Sequence, residues 1–381
     1  MQIKQNKQMC KVTIAIACYN VEKYIEETFL SVLNQDFEDY EILVCDDCST
    51  DKTIQIIKEI ASNHSNGHLV RIISNPVNSG TAAVRNNCID NAKGEYLFFI
   101  DGDDYISQNC ISLLYAKMQE YPYDIVMANH QAFYDSGEKM DLAINKNINY
   151  MEYSSHGEMA ILKWMERFQT DIFPGSIWNK LYRVTFLRTN NIRCILNHSI
   201  IEDIYFSFLT ILKTQSFASI NEVTLSWRQR RGSAMNREFT EKQFRLYLQV
   251  LDDMCHDIQM MKTNNQKKEI QKEIYYYIGK RYLTDFVMRN LLKNKLVNRK
   301  CKEEYFDHIS KLIDIGYKRE YAKSRLERIV LKNLKNKNRY WIFKISFLLD
   351  DFIRLSKKNI LSFTPDCIMK YYIKTRDALF S

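Results

Sequence analysis

No run of 18 uncharged apolar residues occurs in the 381-residue chain, so no membrane-spanning helix is expected. No GxGxxG is present, which argues against a dinucleotide-binding first turn. The ten cysteines are scattered without zinc-ligand spacing, and Cys10, Cys18, Cys45 and Cys88 read as small core residues. Neither an internal repeat nor a low-complexity segment appears. The opening MQIKQNKQMCK lacks the apolar segment of a secretory signal. We therefore expect a protein of the reducing cytoplasm.

What is present can fill a sizeable core: 46% of residues are hydrophobic and 13% aromatic. The net charge of +8 is unevenly spread. Residues 241–381 hold 31 Lys+Arg and 17 Asp+Glu, a net of +14, which leaves residues 1–240 at −6. A basic region of this kind fits an anionic membrane surface or a solvated helical face. Nucleic acid is not expected as a partner, because no recognition module accompanies the charge. From about Phe239 the pattern turns helical, with few Gly or Pro. Trp341, Ile345, Leu348, Phe352 and Leu355 recur at helical spacing, as core or as a membrane-surface stripe.

Earlier in the chain, apolar runs alternate with helical patterns. VTIAIAC (12–18), EILVCD (41–46), LVRIIS (69–74) and YLFFID (96–101) read as strands. Between them fall Val21, Tyr24, Ile25, Val32 and Leu33 at helical spacing, then a helix through Ile60 with Ser49 as its expected cap, then a helix from about Gly80 to Ala92. This order predicts an α/β domain with a mainly parallel sheet. Ligands then bind beyond the carboxyl ends of the strands. Those ends carry Cys18-Tyr19-Asn20, Asp46-Asp47 and Asp101-Gly102-Asp103-Asp104. Further on, DIVMAN (124–129) reads as a strand and MAILKWMERF (159–168) as a helix. SIIEDIYFSFLTIL (199–212) starts a helix with Glu202-Asp203, and WRQRRGSAM (227–235) groups three arginines.

These pieces carry a resemblance. IAIACYN (14–20), LNQDFEDYEILVCDDCSTDKT (33–53), NSGTAAVRN (78–86) and GEYLFFIDGDDY (94–105) resemble, in order and spacing, the donor half of the family-two glycosyltransferases of GT-A fold. WNKLYRVTFLRTNNIR through IIEDIYFSF (178–208) is similar to their acceptor half. The resemblance covers about residues 11–235 and implies a GT-A domain over 1–238, followed by a basic α-helical region over 239–381. It also implies a nucleotide-sugar donor (a UDP-sugar above all), a divalent metal, Mn²⁺ or Mg²⁺, and inversion at the anomeric carbon. By matching positions, Ala17, Tyr19, Asn20 and Asp47 hold the nucleoside and Arg85 helps fix the nucleotide. Asp101 contacts ribose or metal, next to Gly102, and Asp103 ligates the metal. Asp203 is the catalytic base, with Glu202 the second candidate. Ala17 stands where the family often has proline, Cys48 where it often has glycine and Val84 where it often has alanine.

Clustered aspartates need a compensating positive charge. An oxygen-liganded divalent cation bridging them to a diphosphate meets that need. Arg228, Arg230 and Arg231 compete for a second clamp on the diphosphate, or form a solvated basic loop. Asp104 is expected to bond amides of the next turn. Trp178 stacks on an acceptor sugar or belongs to the core. Transfer of a hexose or N-acetylhexosamine to a hydroxyl of a glycan or lipid-linked saccharide would suit surface polysaccharide synthesis, with the basic region docked on the inner membrane face. A sugar-phosphate nucleotidyltransferase is disfavoured, since CYNVEKY after the first strand has no glycine, and a receiver domain by an acidic pair that follows the second strand instead of the first. The alternative is an inactive nucleotide-binding scaffold with a basic docking tail.

Overall fold

The computed structural model describes residues 10–134, 139–140, 153–156, 176–196, 202–229 and 240–260. The four apolar runs form β1 (Val12–Cys18), β2 (Tyr40–Asp46), β3 (Val70–Ser74) and β4 (Tyr96–Asp101). They pair in parallel in the order β3-β2-β1-β4. The chain returns between them through α1 (Ile25–Leu33), α2 (Thr53–Asn63) and α3 (Thr81–Asn91). Alternate strand residues Ile14, Ile16, Ile42, Val44, Phe98 and Ile100 join Ile25, Phe29 and Val32 of α1 in one core cluster. Each such side chain contributes roughly 1.5–3 kcal/mol by leaving water.

Beyond the aspartates come β5 (Tyr105–Ile106), α4 (Cys110–Glu120) and β6 (Ile125–Tyr134). Short β7 (Lys139–Met140) and β8 (Tyr153–His156) precede β9 (Lys180–Arg183) and α5 (Val184–Thr189). Then follow α6 (Glu202–Lys213) and the long β10 (Ser216–Gln229). β9 enters the sheet between β4 and β6, antiparallel to both. β10 runs parallel to β6 and carries β5 and β8 antiparallel. The main path is β3-β2-β1-β4-β9-β6-β10-β5, a mixed sheet with helices against it: parallel over the first four strands, as expected, and interrupted beyond them by antiparallel β9 and β5.

Two local expectations need correction. α1 starts at Ile25, and residues 21–24 form a tighter turn leading into it, in which the Val21 carbonyl accepts from the Tyr24 amide at 2.9 Å and from the Ile25 amide at 3.0 Å. Ser49 does not cap α2, which starts at Thr53 after Lys52 with no side-chain cap. Cys48 takes a left-handed φ of 63° and turns the chain back. The Ser49 amide then donates to Asp46, and its hydroxyl accepts from the Asn20 amide at 3.0 Å. Cys18, Cys45 and Cys88 are buried and free, as expected of core residues, whereas Cys10 is only half-buried. One cysteine pair corrects the reading that zinc-ligand spacing is absent: Cys45 and Cys48 form a CxxC across the end of β2, and both are free thiols.

The chain divides into two compact units, residues 1–238 with 249–254 and residues 239–248 with 255–381. The features below belong to the first. α7 (Glu241–Gln259) follows the helical pattern read from about Phe239. The helices expected over 159–168 and around Trp341–Leu355 lie outside the described residues. Among the described residues no helix is long and apolar enough to cross a membrane.

Candidate functional site

Strand register sets the site. Cys18 lies opposite Asp46, and Ala17 opposite Asp101, so β1, β2 and β4 end at one level. The loops leaving β1 and β2 are laced together. Asn20, at φ 51°, accepts on Oδ1 from the Thr50 amide at 2.8 Å. The Val21 amide donates to the Thr53 hydroxyl at 2.9 Å and the Glu22 amide to Asp51 at 3.0 Å. Tyr19 stands out from this lacing, 45% exposed.

Asp47 is buried, and its carboxylate organises the approach to α3. It accepts from Asn75 Nδ2 and the Ser79 amide, each at 2.8 Å, and from the Gly80 amide at 2.7 Å. Gly80 precedes α3 at φ +86°, a conformation that strains other residues. This carboxylate faces its own chain, as Asn20 Oδ1 does toward the Thr50 amide, and both stand with Ala17 and Tyr19 at the ends of β1 and β2.

The aspartates of β4 make a tight turn. The Gly102 amide donates to the Ala17 carbonyl at 2.9 Å, and the Asp104 amide to the Asp101 carbonyl at 3.1 Å. A Cβ on Gly102 would lie 3.1 Å from Cys18 Cβ and Val21 Cγ2 and 3.2 Å from the Ala17 carbonyl, so β1 crowds this turn. Asp104 is buried. Its Oδ1 accepts from the Arg228 amide at 2.8 Å, across to β10 and not from the next turn as expected. Its Oδ2 is buried without a partner. Burial first, then the charges of Asp103 and Asp101, hold the Asp104 carboxyl well above the usual range.

Arg85, on the buried face of α3, joins the two halves. Its Nη2 donates to both oxygens of Asp101, at 2.9 and 3.2 Å. Its Nη1 donates to Asp203 and lies 3.7 Å from Glu202. Both acids open α6, where the helix N-terminus favours negative charge. Burial alone would weaken the Arg85 charge; Asp203, Asp101 and Glu202 outweigh it and hold the guanidinium protonated far above any working pH. Burial raises the Asp203 carboxyl and Arg85 opposes it; Glu202 and Asp101 raise it further, and Lys180 lowers it, to a net of about 7. The Asp203 side chain keeps 28% of its surface open.

The structure thus gathers Asp101, Arg85, Glu202 and Asp203, with Asp103 in the adjoining turn. Arg228 sits on β10, on the far side of that turn, and Arg230 and Arg231 lie outside the described residues. Trp178 is a core residue, edge-on to His130 at 4.7 Å between centroids. Burial, then the Lys180 charge, hold His130 down to about 4. Lys180 itself, 1% exposed and donating to Ser176, was not read from the sequence as part of the site. The available signal was a lone base in the apolar run WNKLYRV (178–184). Glu27 on α1, which accepts from Arg228 Nη2, was missed because an acid on a helix reads as solvated.

Among the described residues no three Asp, Glu, His or Cys side chains form a cage for a metal on their own. A hard cation fits the donor set only with oxygens from a ligand added. The aspartates of the turn supply oxygen alone, and one of those oxygens is buried and unpartnered.

A mixed sheet with a parallel first half, carboxylates at the carboxyl edge of that half and an acid pair facing them is the GT-A class of fold. Residues 13–181 match the family model described as glycosyl transferase family 2. The glycosyltransferase GlyA of Streptococcus pneumoniae serotype 4 is 28% identical over 232 residues, 61% of this chain but 32% of its own length. The chain thus spans about a third of that relative. The cholesterol galactosyltransferase of Borreliella burgdorferi is 26% identical over 364 residues, 90% of this chain and 98% of the other. In fold, the crystal structure of S. aureus TarS 1-349 in complex with UDP-GlcNAc covers 91% of this chain and 92% of that one, with a TM-score of 0.67 and 20% identity.

Proposed function

We propose that this chain is an inverting glycosyltransferase that moves a hexosyl or N-acetylhexosaminyl group from a UDP-sugar to a hydroxyl of a glycan or lipid-linked acceptor. The observation that carries this reading is the pairing, through Arg85, of the strand-end carboxylate Asp101 with the acids Glu202 and Asp203. One set of groups serves a donor and the other an incoming hydroxyl.

Ala17, Tyr19 and Asn20 would line the nucleoside position, with Tyr19 exposed enough to stack on a base. Asp101 and Asp103 would hold Mn²⁺ or Mg²⁺. Such a cation, when bound, neutralises charge on the departing diphosphate. Arg230 and Arg231 keep their proposed place on the same diphosphate. Asp203 is the general base: ionised, it takes the proton of the acceptor hydroxyl as that oxygen attacks opposite the leaving group. A carboxyl near pH 7 suits this task, since a base works best close to the operating pH. Glu202, beside it, is the more enclosed of the two acids against Arg85 and leaves Asp203 the more open.

Residues 239–381 would form a basic region that holds the protein on an anionic membrane face, where lipid-linked acceptors reside. Sedimentation with anionic liposomes, comparing the whole chain with residues 1–238, tests this, and equal binding by both removes the role. For the main reading, titration calorimetry with UDP, GDP and dTDP, in Mn²⁺ and again in EDTA, is the test. Metal-dependent binding of UDP supports it, preference for another nucleotide redirects the donor, and binding without transfer from any sugar nucleotide favours a scaffold.

A further inference from the structure

Arg228 ties together three segments that are distant in the sequence. From β10, its amide donates to Asp104 Oδ1 and its Nε to the Asp103 carbonyl, each at 2.8 Å. Its Nη2 donates to Glu27 on α1. Its guanidinium lies 5.0 Å from the Tyr24 ring centroid and 4.6 Å from that of Phe133 on β6. The side chain is 10% exposed. A bidentate grip on phosphate takes two parallel N–H groups from one edge of the guanidinium. The edge made by Nε and Nη2 is already occupied, and two aromatic rings lie against the group.

We infer that Arg228 is a positioning residue, which fixes the Asp103–Asp104 backbone so that the Asp103 carboxylate is aimed for its ligand. The inference rests on the donor-site reading above. On one side the turn hangs from β1 through the Gly102 amide. On the other, β5 pairs with β10 at Tyr105 and Ile106, beyond the aspartates. Asp103 lies between these supports, and the bond from Arg228 Nε to its carbonyl holds the intervening peptide plane. Without it, Asp103 keeps its chemistry and loses its aim. Lysine is a poor substitute, because an ammonium has neither the Nε–H nor the flat face that meets the rings.

Calorimetry on the whole chain tests this, using UDP with Mn²⁺ and with EDTA. The quantity read is the metal increment, the ratio of the Kd in EDTA to the Kd in Mn²⁺. Arg228→Lys is expected to cut that increment about tenfold or more while UDP affinity in EDTA stays at the wild-type level. A diphosphate-gripping arginine would instead lower affinity under both conditions. Glu27→Gln covers the case in which Arg228→Lys does not fold. Glu27 keeps 57% of its side chain exposed, so its loss threatens the fold little. It is expected to reduce the increment about two- to fivefold. An increment unchanged in a folded Arg228→Lys, or in Glu27→Gln where the lysine variant is lost, overturns the positioning role. A wild-type protein that binds no UDP in either condition overturns the donor-site reading and this inference with it. Where the wild type binds UDP in a metal-dependent way, a failure of the variants counts against the role of Arg228 alone.

Discussion

The edge made by β1, β2 and β4 and the flank made by β9 and α6 meet at one arginine, yet they are built by opposite means. The edge is assembled from segments whose ends coincide by parallel register, Cys18 with Asp46 and Ala17 with Asp101. Its loops are then laced by local amide-to-side-chain bonds such as those of Asn20, Ser49 and Asp47. The flank depends on β9 entering the sheet antiparallel to β4, a strand far earlier in the chain. Its acids reach the edge through Arg85. A parallel edge presents its groups at one level, set by register; the flank adds groups whose place is set by how β9 and α6 pack beside it. Under the proposed function, the edge would serve the donor and the flank the acceptor.

Four changes break or sharpen that contrast. The largest effect is expected from Asp203→Asn, which removes the proposed base from the flank and leaves the edge whole. Transfer should fall about 10²–10⁴-fold while UDP affinity is unchanged, as read by a sugar-release assay beside calorimetry. Asp103→Asn makes the converse cut. Metal-dependent UDP binding should vanish while binding in EDTA persists.

Arg85→Ala severs the joint itself. Three carboxylates then lose their common partner, and stability should fall by about 3–5 kcal/mol in urea denaturation. A drop well below about 1 kcal/mol would mean that the two regions stand independently. The smallest effect is a pH dependence. As the proposed base, Asp203 would act only when ionised, and its carboxyl is raised to about 7. The rate should therefore climb as pH rises through about 7 and flatten above. An ordinary carboxyl, with a pKa of about 4, would give a flat profile there.

Composition and pattern alone determined the edge. Apolar runs ending in polar residues, spaced by helical periods, dictate parallel strands, and parallel strands carry their terminal residues to one side. Asp101, Asp103 and Asp47 were legible for that reason, and so was the helix opening with Glu202 and Asp203. What each side chain faces was decided only by the tertiary structure. Asp47 turns to Asn75, Ser79 and Gly80. Arg228 is taken up by Glu27 and two rings, and Arg85 reaches across to α6. These partners lie up to about two hundred residues apart in the chain. Periodicity reports which face of an element is buried, but a charged side chain's partner depends on which distant element packs against that face.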